Sequence, residues 1–127
     1  MGHWASQFRK GLLELCILSL LEAESGHGYR IVQRLAEHPV LEARESTVYP
    51  ILSRMRSSGV VSVTKETSSE GPPRNVYRLT RAGTDRLNEL VRYWRQLVEA
   101  VRLLQADGGA GHEPDTGEYS IKGGTNA

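Results

Sequence analysis

The chain of 127 residues has one cysteine, Cys16, and few candidate metal ligands. A single cysteine excludes an internal disulfide and a zinc site built from several cysteines. The histidines show no spacing typical of a zinc site either; they are His3, His27, His38 and His112. The sequence also lacks a carboxylate pair, a nucleophile beside a positioned base and a glycine-rich phosphate loop. We therefore expect no metal, no cofactor and no enzyme active site.

The sequence also has no large excess of positive or negative charge. Lysine and arginine number 16 and aspartate and glutamate number 15, so the net charge is +1. The charge is unevenly distributed, because residues 1–83 carry +3, residues 84–105 carry +1 and residues 106–127 carry −3. An acidic C-terminal segment thus masks a basic body, and the near-neutral total does not exclude a nucleic-acid partner.

The sequence has no long apolar run. The longest, residues 12–21, is interrupted by Glu14 and Ser19. It is about half the length of roughly 20 residues that a transmembrane helix needs. No charged leader precedes a cleavable apolar segment. We expect a protein that contacts no membrane and works in the cytoplasm.

The spacing of apolar residues predicts three helices in the first half of the chain. The first spans 8–22 and is apolar nearly all round, which indicates burial on more than one side. The second spans 29–36, with its apolar stripe at Tyr29, Val32, Leu35 and Ala36. The third spans about 45–58, with a clean stripe at Val48, Ile51, Leu52 and Met55. Its start is open, because Ser46 is a better cap than Arg44 but would shorten the helix.

After Gly59 the apolar period changes from 3.6 to 2, which predicts an antiparallel β-hairpin. The alternating residues lie at 61–65 and 76–79, and the composition of 67–74 predicts a long loop at the hairpin tip. Thr80 is placed to cap a last helix that runs to about residue 104.

This last helix carries two overlapping apolar seams with heptad spacing. One seam is Leu87, Val91, Trp94, Val98 and Val101, and the other is Leu90, Trp94, Leu97, Val101 and Leu104. A stripe this wide is able to pack within its own chain along one edge and against a second copy along the other.

Three short helices followed by a hairpin form the order of a winged helix-turn-helix. The predicted fold class is therefore mainly α with a two-stranded β-hairpin and a long C-terminal dimerisation helix. We expect the winged domain over 1–79, the dimerisation helix over 80–105 and a disordered, acidic, glycine-rich tail over 106–127.

The third helix and the hairpin suit contact with double-stranded DNA. Within 44–81, seven basic side chains accompany three acidic ones, a local charge of +4. Thr47, Tyr49 and Ser53 are able to donate hydrogen bonds to phosphates, and Arg54 reaches phosphate or guanine. The alternative is a winged-helix module that binds only proteins, and binding to DNA that weakens steeply with salt separates the two.

Three motifs fall in order on the predicted elements. They are Gly-Tyr-Arg-Ile at 28–31, Ser-Thr-Val-Tyr-Pro-Ile-Leu-Ser-Arg-Met at 46–55 and Gly-Pro-Pro-Arg-Asn-Val-Tyr-Arg-Leu-Thr at 71–80. With these motifs the sequence resembles the PadR family of bacterial transcriptional regulators, from about residue 9 to residue 104. The resemblance implies a homodimeric repressor, similar to the smaller family members that have one helix after the wing.

The resemblance also implies roles for individual residues. On the DNA side these are a phosphate contact by Tyr29, base and phosphate contacts by Thr47, Tyr49, Ser53 and Arg54, and wing contacts by Lys65 and Arg74. At the dimer seam it implies a pocket for a flat aromatic effector, lined by Leu15, Ser19, Leu87, Val91, Trp94 and Val98. The effector would release the repressor from an inverted-repeat operator. The alternative for Trp94 is that it simply fills the dimer core.

Overall fold

A computed structural model describes residues 2–68 and 70–108. In chain order the elements are α1 (His3–Lys10), α2 (Leu13–Ala23), β1 (Gly26–His27), α3 (Gly28–Ala36), a 3-10 turn (Pro39–Leu41), α4 (Glu45–Ser57), β2 (Val61–Ser68), β3 (Gly71–Leu79) and α5 (Arg81–Gly108). The mainly helical architecture, with a small antiparallel sheet and a long last helix, confirms the predicted fold class. The predicted tail lies outside the described residues from position 109 onward.

The chain divides into two compact units, Met1–Glu89 and Leu90–Ala127. The core of the first unit lies among α2, α3, α4 and the sheet. Its most completely buried side chains are Ile17, Leu18, Ile31, Leu35, Val48 and Leu52. Within the described residues, no helix is both long enough and apolar enough to cross a membrane.

The prediction of one helix over 8–22 is wrong, because the chain turns at Gly11 between α1 and α2. Glycine is about 1 kcal/mol less favourable than alanine in a helix interior. The N–H of Leu12 donates back to the carbonyl of Arg9 at 2.9 Å, which tightens this turn. The apolar pattern continues across the turn although the helical backbone does not, and it therefore concealed the break.

The stripe predicted for α4 is confirmed, since Val48, Ile51, Leu52 and Met55 are all buried. The stripe predicted for α3 is wrong in its register. Ile31 and Leu35 are its large buried side chains, whereas Tyr29 and Ala36 are exposed. Because α3 turns Tyr29 outward, this aromatic side chain is available at the surface.

The sheet has three antiparallel strands in the order β1–β3–β2, one strand more than predicted. The additional strand is β1, in which Gly26 pairs with Tyr77 and His27 pairs with Val76. Two residues are too few to produce an alternating pattern, so only pairing with β3 defines this strand.

The prediction of a long loop over 67–74 is also wrong. The ladder between β2 and β3 continues from Val61 opposite Leu79 to Ser68 opposite Gly71, with an irregularity between Glu66 and Ser68. The two prolines of β3 lie at this irregularity, where a strand tolerates the loss of a backbone N–H. The wing is therefore longer than the sequence pattern indicates.

The two ends of α4 are formed differently. Arg44, rather than Ser46, occupies the N-cap position, without a side-chain cap hydrogen bond within the described residues. Gly59 ends the helix in the left-handed region with a φ of 81°, which glycine adopts at little cost. The hydroxyl of Thr80 then donates to the Gly59 carbonyl at 2.7 Å and accepts the N–H of Gly83 at 3.0 Å. Thr80 therefore ties the end of α4 to the start of α5 and is the predicted cap.

Candidate nucleic-acid interface

An open pocket of about 450 Å³ lies where the first turn of α3, helix α4 and strand β3 meet. Its lining consists of His27, Gly28, Tyr29, Tyr49, Arg74, Asn75 and Tyr77. Three of the predicted DNA contacts, Tyr29, Tyr49 and Arg74, are among these residues. The fold thus gathers hydroxyl and guanidinium groups from three elements that are distant in sequence.

Gly28 allows the first turn of α3 to approach the ring of Tyr49. A Cβ built on Gly28 would lie 2.9 Å from both Cζ and Oη of Tyr49, closer than real Cβ contacts come. Tyr49 is nevertheless 38% exposed and lines the pocket. The packing of α3 on α4 therefore depends on a position without a side chain.

Tyr49 is a neutral hydrogen-bond donor. Loss of solvent contact raises the pKa of Tyr49 above its usual value of 10.0, and the nearby charges of Glu45 and Tyr77 add to this effect. The phenol consequently keeps its proton at neutral pH and is able to donate it to an acceptor such as a phosphate oxygen.

His27 connects α3 to the wing and was not among the predicted site residues. It occupies the N-cap of α3, where its Nδ1 accepts the backbone N–H of Arg30 at 3.3 Å. Its Nε2 lies 3.3 Å from Nη1 of Arg74. The position just before the Gly-Tyr motif hints at a capping role, but only the pairing of β1 with β3 brings the ring to Arg74.

The other predicted DNA contacts lie outside the pocket lining. Thr47, Ser53 and Arg54 are exposed on α4, and Lys65 is exposed on β2 opposite Asn75 of β3. They extend the polar surface along the helix and the wing, and their contact with DNA stays a prediction.

The predicted effector residues divide between the two compact units. In the first unit Leu87 is buried, Leu15 is half-buried, and the exposed Ser19 donates its hydroxyl to the Leu15 carbonyl at 2.8 Å. In the second unit Val91, Trp94 and Val98 are half-buried. An effector site formed by both sets stays a prediction. The described residues contain no group of three or more histidine, cysteine or acidic side chains that could hold a metal ion.

Short helices, a wing and a long final helix define a winged helix-turn-helix protein, and comparison with known proteins gives its family. Residues 17–89 match the Transcriptional regulator PadR-like family. Transcriptional regulator Rv3488 of Mycobacterium tuberculosis is 30% identical over 95 residues, which are 75% of this chain and 87% of that protein. The chain therefore belongs to the PadR-like family of transcriptional regulators, as the three motifs predict.

Solved structures agree with this assignment. A PadR-like transcription factor from Bacteroides fragilis is 39% identical, with a TM-score of 0.69 over 81% of this chain and 99% of that one. Bacillus subtilis PadR in complex with operator DNA is 24% identical, with a TM-score of 0.59 over 63% of this chain and 46% of that one. The second similarity extends to the fold alone.

Proposed function

We propose that the protein is a dimeric DNA-binding transcriptional repressor that acts in the cytoplasm on an inverted-repeat operator. The observation that carries this proposal is the meeting of Tyr29, Tyr49 and Arg74 in one open pocket next to α4. Hydroxyl and guanidinium groups are among the donors that contact DNA phosphates. A relative with the same fold, Bacillus subtilis PadR, binds operator DNA.

In this proposal α4 enters the major groove and the wing contacts the flanking backbone. Thr47, Ser53 and Arg54 are exposed on α4, which leaves them accessible to base edges and phosphates. Lys65 on β2 supplies a positive charge to the wing. The local charge of +4 over 44–81 is modest, so binding by one protomer is expected to be weak and dimerisation to be necessary.

DNA binding is tested by fluorescence anisotropy with a mixed-sequence duplex of 24 base pairs across a range of salt concentrations. The logarithm of the affinity is expected to fall linearly with that of the salt concentration, with a slope of about −0.9 for each phosphate contact. The Arg54→Ala/Lys65→Ala variant should bind more weakly and reduce this slope by about 1 to 2. Arg102→Ala, which removes a positive charge from the second unit, is the control. Salt-independent binding, or no loss in the double variant, would favour the module that binds only proteins.

Dimerisation is proposed through α5. In the second unit Leu97 is 41% exposed, Val101 is 51% exposed and Leu104 is 70% exposed. These side chains follow one heptad seam, and such a seam is normally buried by a second helix. Leu97→Glu should convert a dimer into a monomer in size-exclusion chromatography with light scattering. Gln96→Glu introduces the same charge at the neighbouring exposed position and should leave the dimer intact.

A dimer would place two α4 helices about one DNA turn apart, roughly 34 Å. Selection of the purified protein on a pool of random duplexes is therefore expected to recover two inverted half-sites about 10 base pairs apart, centre to centre. Recovery of a single half-site would contradict the dimeric proposal and leave DNA binding itself intact.

The effector is proposed to be a flat aromatic compound that stacks on Trp94 and releases the operator. An effector changes DNA affinity only as far as it binds the free and DNA-bound states unequally. The test is a Trp4→Phe background, in which Trp94 is the remaining tryptophan. Aromatic compounds should quench its fluorescence, weaken DNA binding and relieve repression of a reporter carrying the selected operator. Compounds that change neither signal would leave Trp94 with the role of filling the dimer core.

A further inference from the structure

Each ring nitrogen of His27 faces a hydrogen-bond donor. A neutral imidazole accepts a hydrogen bond at one ring nitrogen only. Nδ1 faces the backbone N–H of Arg30 and Nε2 faces Nη1 of Arg74, each at 3.3 Å. Both of these neighbours are donors and neither is an acceptor. In either neutral tautomer, one ring nitrogen accepts from its neighbour and the other points an N–H at a second donor. In the protonated ring, neither nitrogen is an acceptor.

The cap contact determines which of the two is unsatisfied. The Arg30 N–H belongs to the first turn of α3, where backbone donors have no partner within the helix. Acceptance at Nδ1 satisfies this donor and places the ring proton on Nε2. The Nε2–H of His27 and the guanidinium of Arg74 then converge on the same region of the pocket. Two donors at this separation suit one shared acceptor.

Arg74 brings a positive charge to the lining of the pocket. Three ion pairs in the described part of the chain join Arg34 to Glu24, Arg86 to Glu14 and Arg102 to Glu99. Arg74 belongs to none of them, although Glu66 lies opposite it in the ladder. Its side chain is exposed at the pocket, where Tyr49 adds a neutral phenol as a further donor.

We propose that His27 and Arg74 together bind one phosphate oxyanion, with a DNA phosphodiester as its occupant. A phosphate oxygen accepts from both the imidazole N–H and the guanidinium, and hydrogen bonds to ionised partners are the strong ones. The inference rests on the proposed DNA binding and adds a subsite at the junction of α3 and the wing. Occupation of this subsite would tie the start of α3 to the wing, because His27 is the N-cap residue of α3 and Arg74 lies on β3.

Two substitutions of His27 separate capping from anion binding. His27→Asn keeps an acceptor near the Nδ1 position, and asparagine is among the best N-cap residues. It lacks a donor at the Nε2 position, so it should unfold at the wild-type temperature and bind the 24-base-pair duplex about tenfold more weakly. His27→Gln keeps a donor near the Nε2 position but loses the cap. It should unfold at a lower temperature and bind the duplex within about twofold of wild type.

A double-mutant cycle tests whether the two residues share one phosphate. Arg74→Gln is expected to weaken duplex binding about tenfold and to reduce the salt slope by about 0.9. If one phosphate contacts both side chains, His27→Asn/Arg74→Gln should lose much less than the product of the two single effects. Independent, multiplicative losses would overturn the shared site, and so would wild-type affinity in both His27 variants.

A direct readout distinguishes a phosphodiester from free phosphate. The imidazole nitrogen signals of His27 are followed by NMR during titration with the duplex and, separately, with inorganic phosphate. A response to the duplex alone supports the phosphodiester site, and a response to both supports an oxyanion site that also accepts free phosphate. Salt-dependent duplex binding without any response of His27 would overturn this inference and leave the proposed function standing. Absence of duplex binding by the wild-type protein would overturn the proposed function itself.

Discussion

Replacing Gly28 by alanine tests the close packing of α3 against the ring of Tyr49. The new Cβ would lie 2.9 Å from Cζ and Oη of Tyr49, whereas ordinary contact begins near 3.4 Å. Overpacking of this kind costs roughly 1–3 kcal/mol. Alanine is favoured over glycine in a helix by roughly 0.5–1 kcal/mol. The two effects combine to a net destabilisation of roughly 0–2.5 kcal/mol in the free energy of unfolding.

The assay is a cycle in which the same substitution is made in a Tyr49→Ala background. Without the ring the clash disappears, so the added methyl group should stabilise the protein by about 0.5–1 kcal/mol. Urea unfolding followed by circular dichroism gives all four free energies. The protomer concentration is held constant, because the apparent stability of a dimer depends on it.

A second readout of the same variants is duplex DNA binding. If Gly28→Ala displaces the ring of Tyr49, its DNA affinity should fall toward that of Tyr49→Ala. The reasoning is refuted if Gly28→Ala changes the free energy of unfolding equally in the presence and absence of the Tyr49 ring. That result would show that the space beside Gly28 is not occupied by this side chain.

Three further predictions concern the winged domain. Thr80→Ala removes the cap of α5 and should lower the free energy of unfolding in urea by about 1–2 kcal/mol. Thr80→Ser keeps the hydroxyl and should retain most of this stability, and equal losses in the two variants would contradict the role of the hydroxyl. Ile17 is fully buried, so Ile17→Ala should cost about 2–5 kcal/mol, and a loss below 1 kcal/mol would show that the site is loosely packed. Burial raises the pKa of Cys16 above 9.0, so its thiol should react slowly with a disulfide reagent at pH 8 until urea unfolds the protein. Fast labelling of the folded protein would contradict the burial of this thiol. Because the pKa of Cys16 is higher in the folded protein than in the unfolded chain, its contribution to the free energy of unfolding is present below about pH 9 and is lost as the pH rises through the folded pKa.

The success of prediction from sequence depended on the length and regularity of each pattern. The prediction for α4 is correct because its four apolar residues at helical spacing all lie on one face, and only that face is able to be buried. The helix over 8–22 was wrong because Leu12 extends the apolar pattern across Gly11, where the backbone turns. On α3, the spacing places Tyr29 on the apolar face, although Ile31 and Leu35 fill the core.

The sequence predicts individual residues of the candidate site, but it does not predict that they line one pocket. Tyr29, Tyr49 and Arg74 were identified from motifs, each on its own element. Their convergence, and the addition of His27, depended on the pairing of β1 with β3. A two-residue strand carries no periodic signal, so no reading of the neighbouring sequence predicts it.

The sequence by itself determined that short helices precede a hairpin and a long last helix. It also determined the buried stripe of α4, the cap at Thr80 and the family, because periodicity, capping and motifs are local properties. Only the tertiary structure decided that His27 meets Arg74 and that Gly28 faces the ring of Tyr49. Such contacts join residues that are distant in sequence. Their geometry follows from the packing of several elements around the core of Ile17, Leu18 and Leu52, and no single segment encodes it.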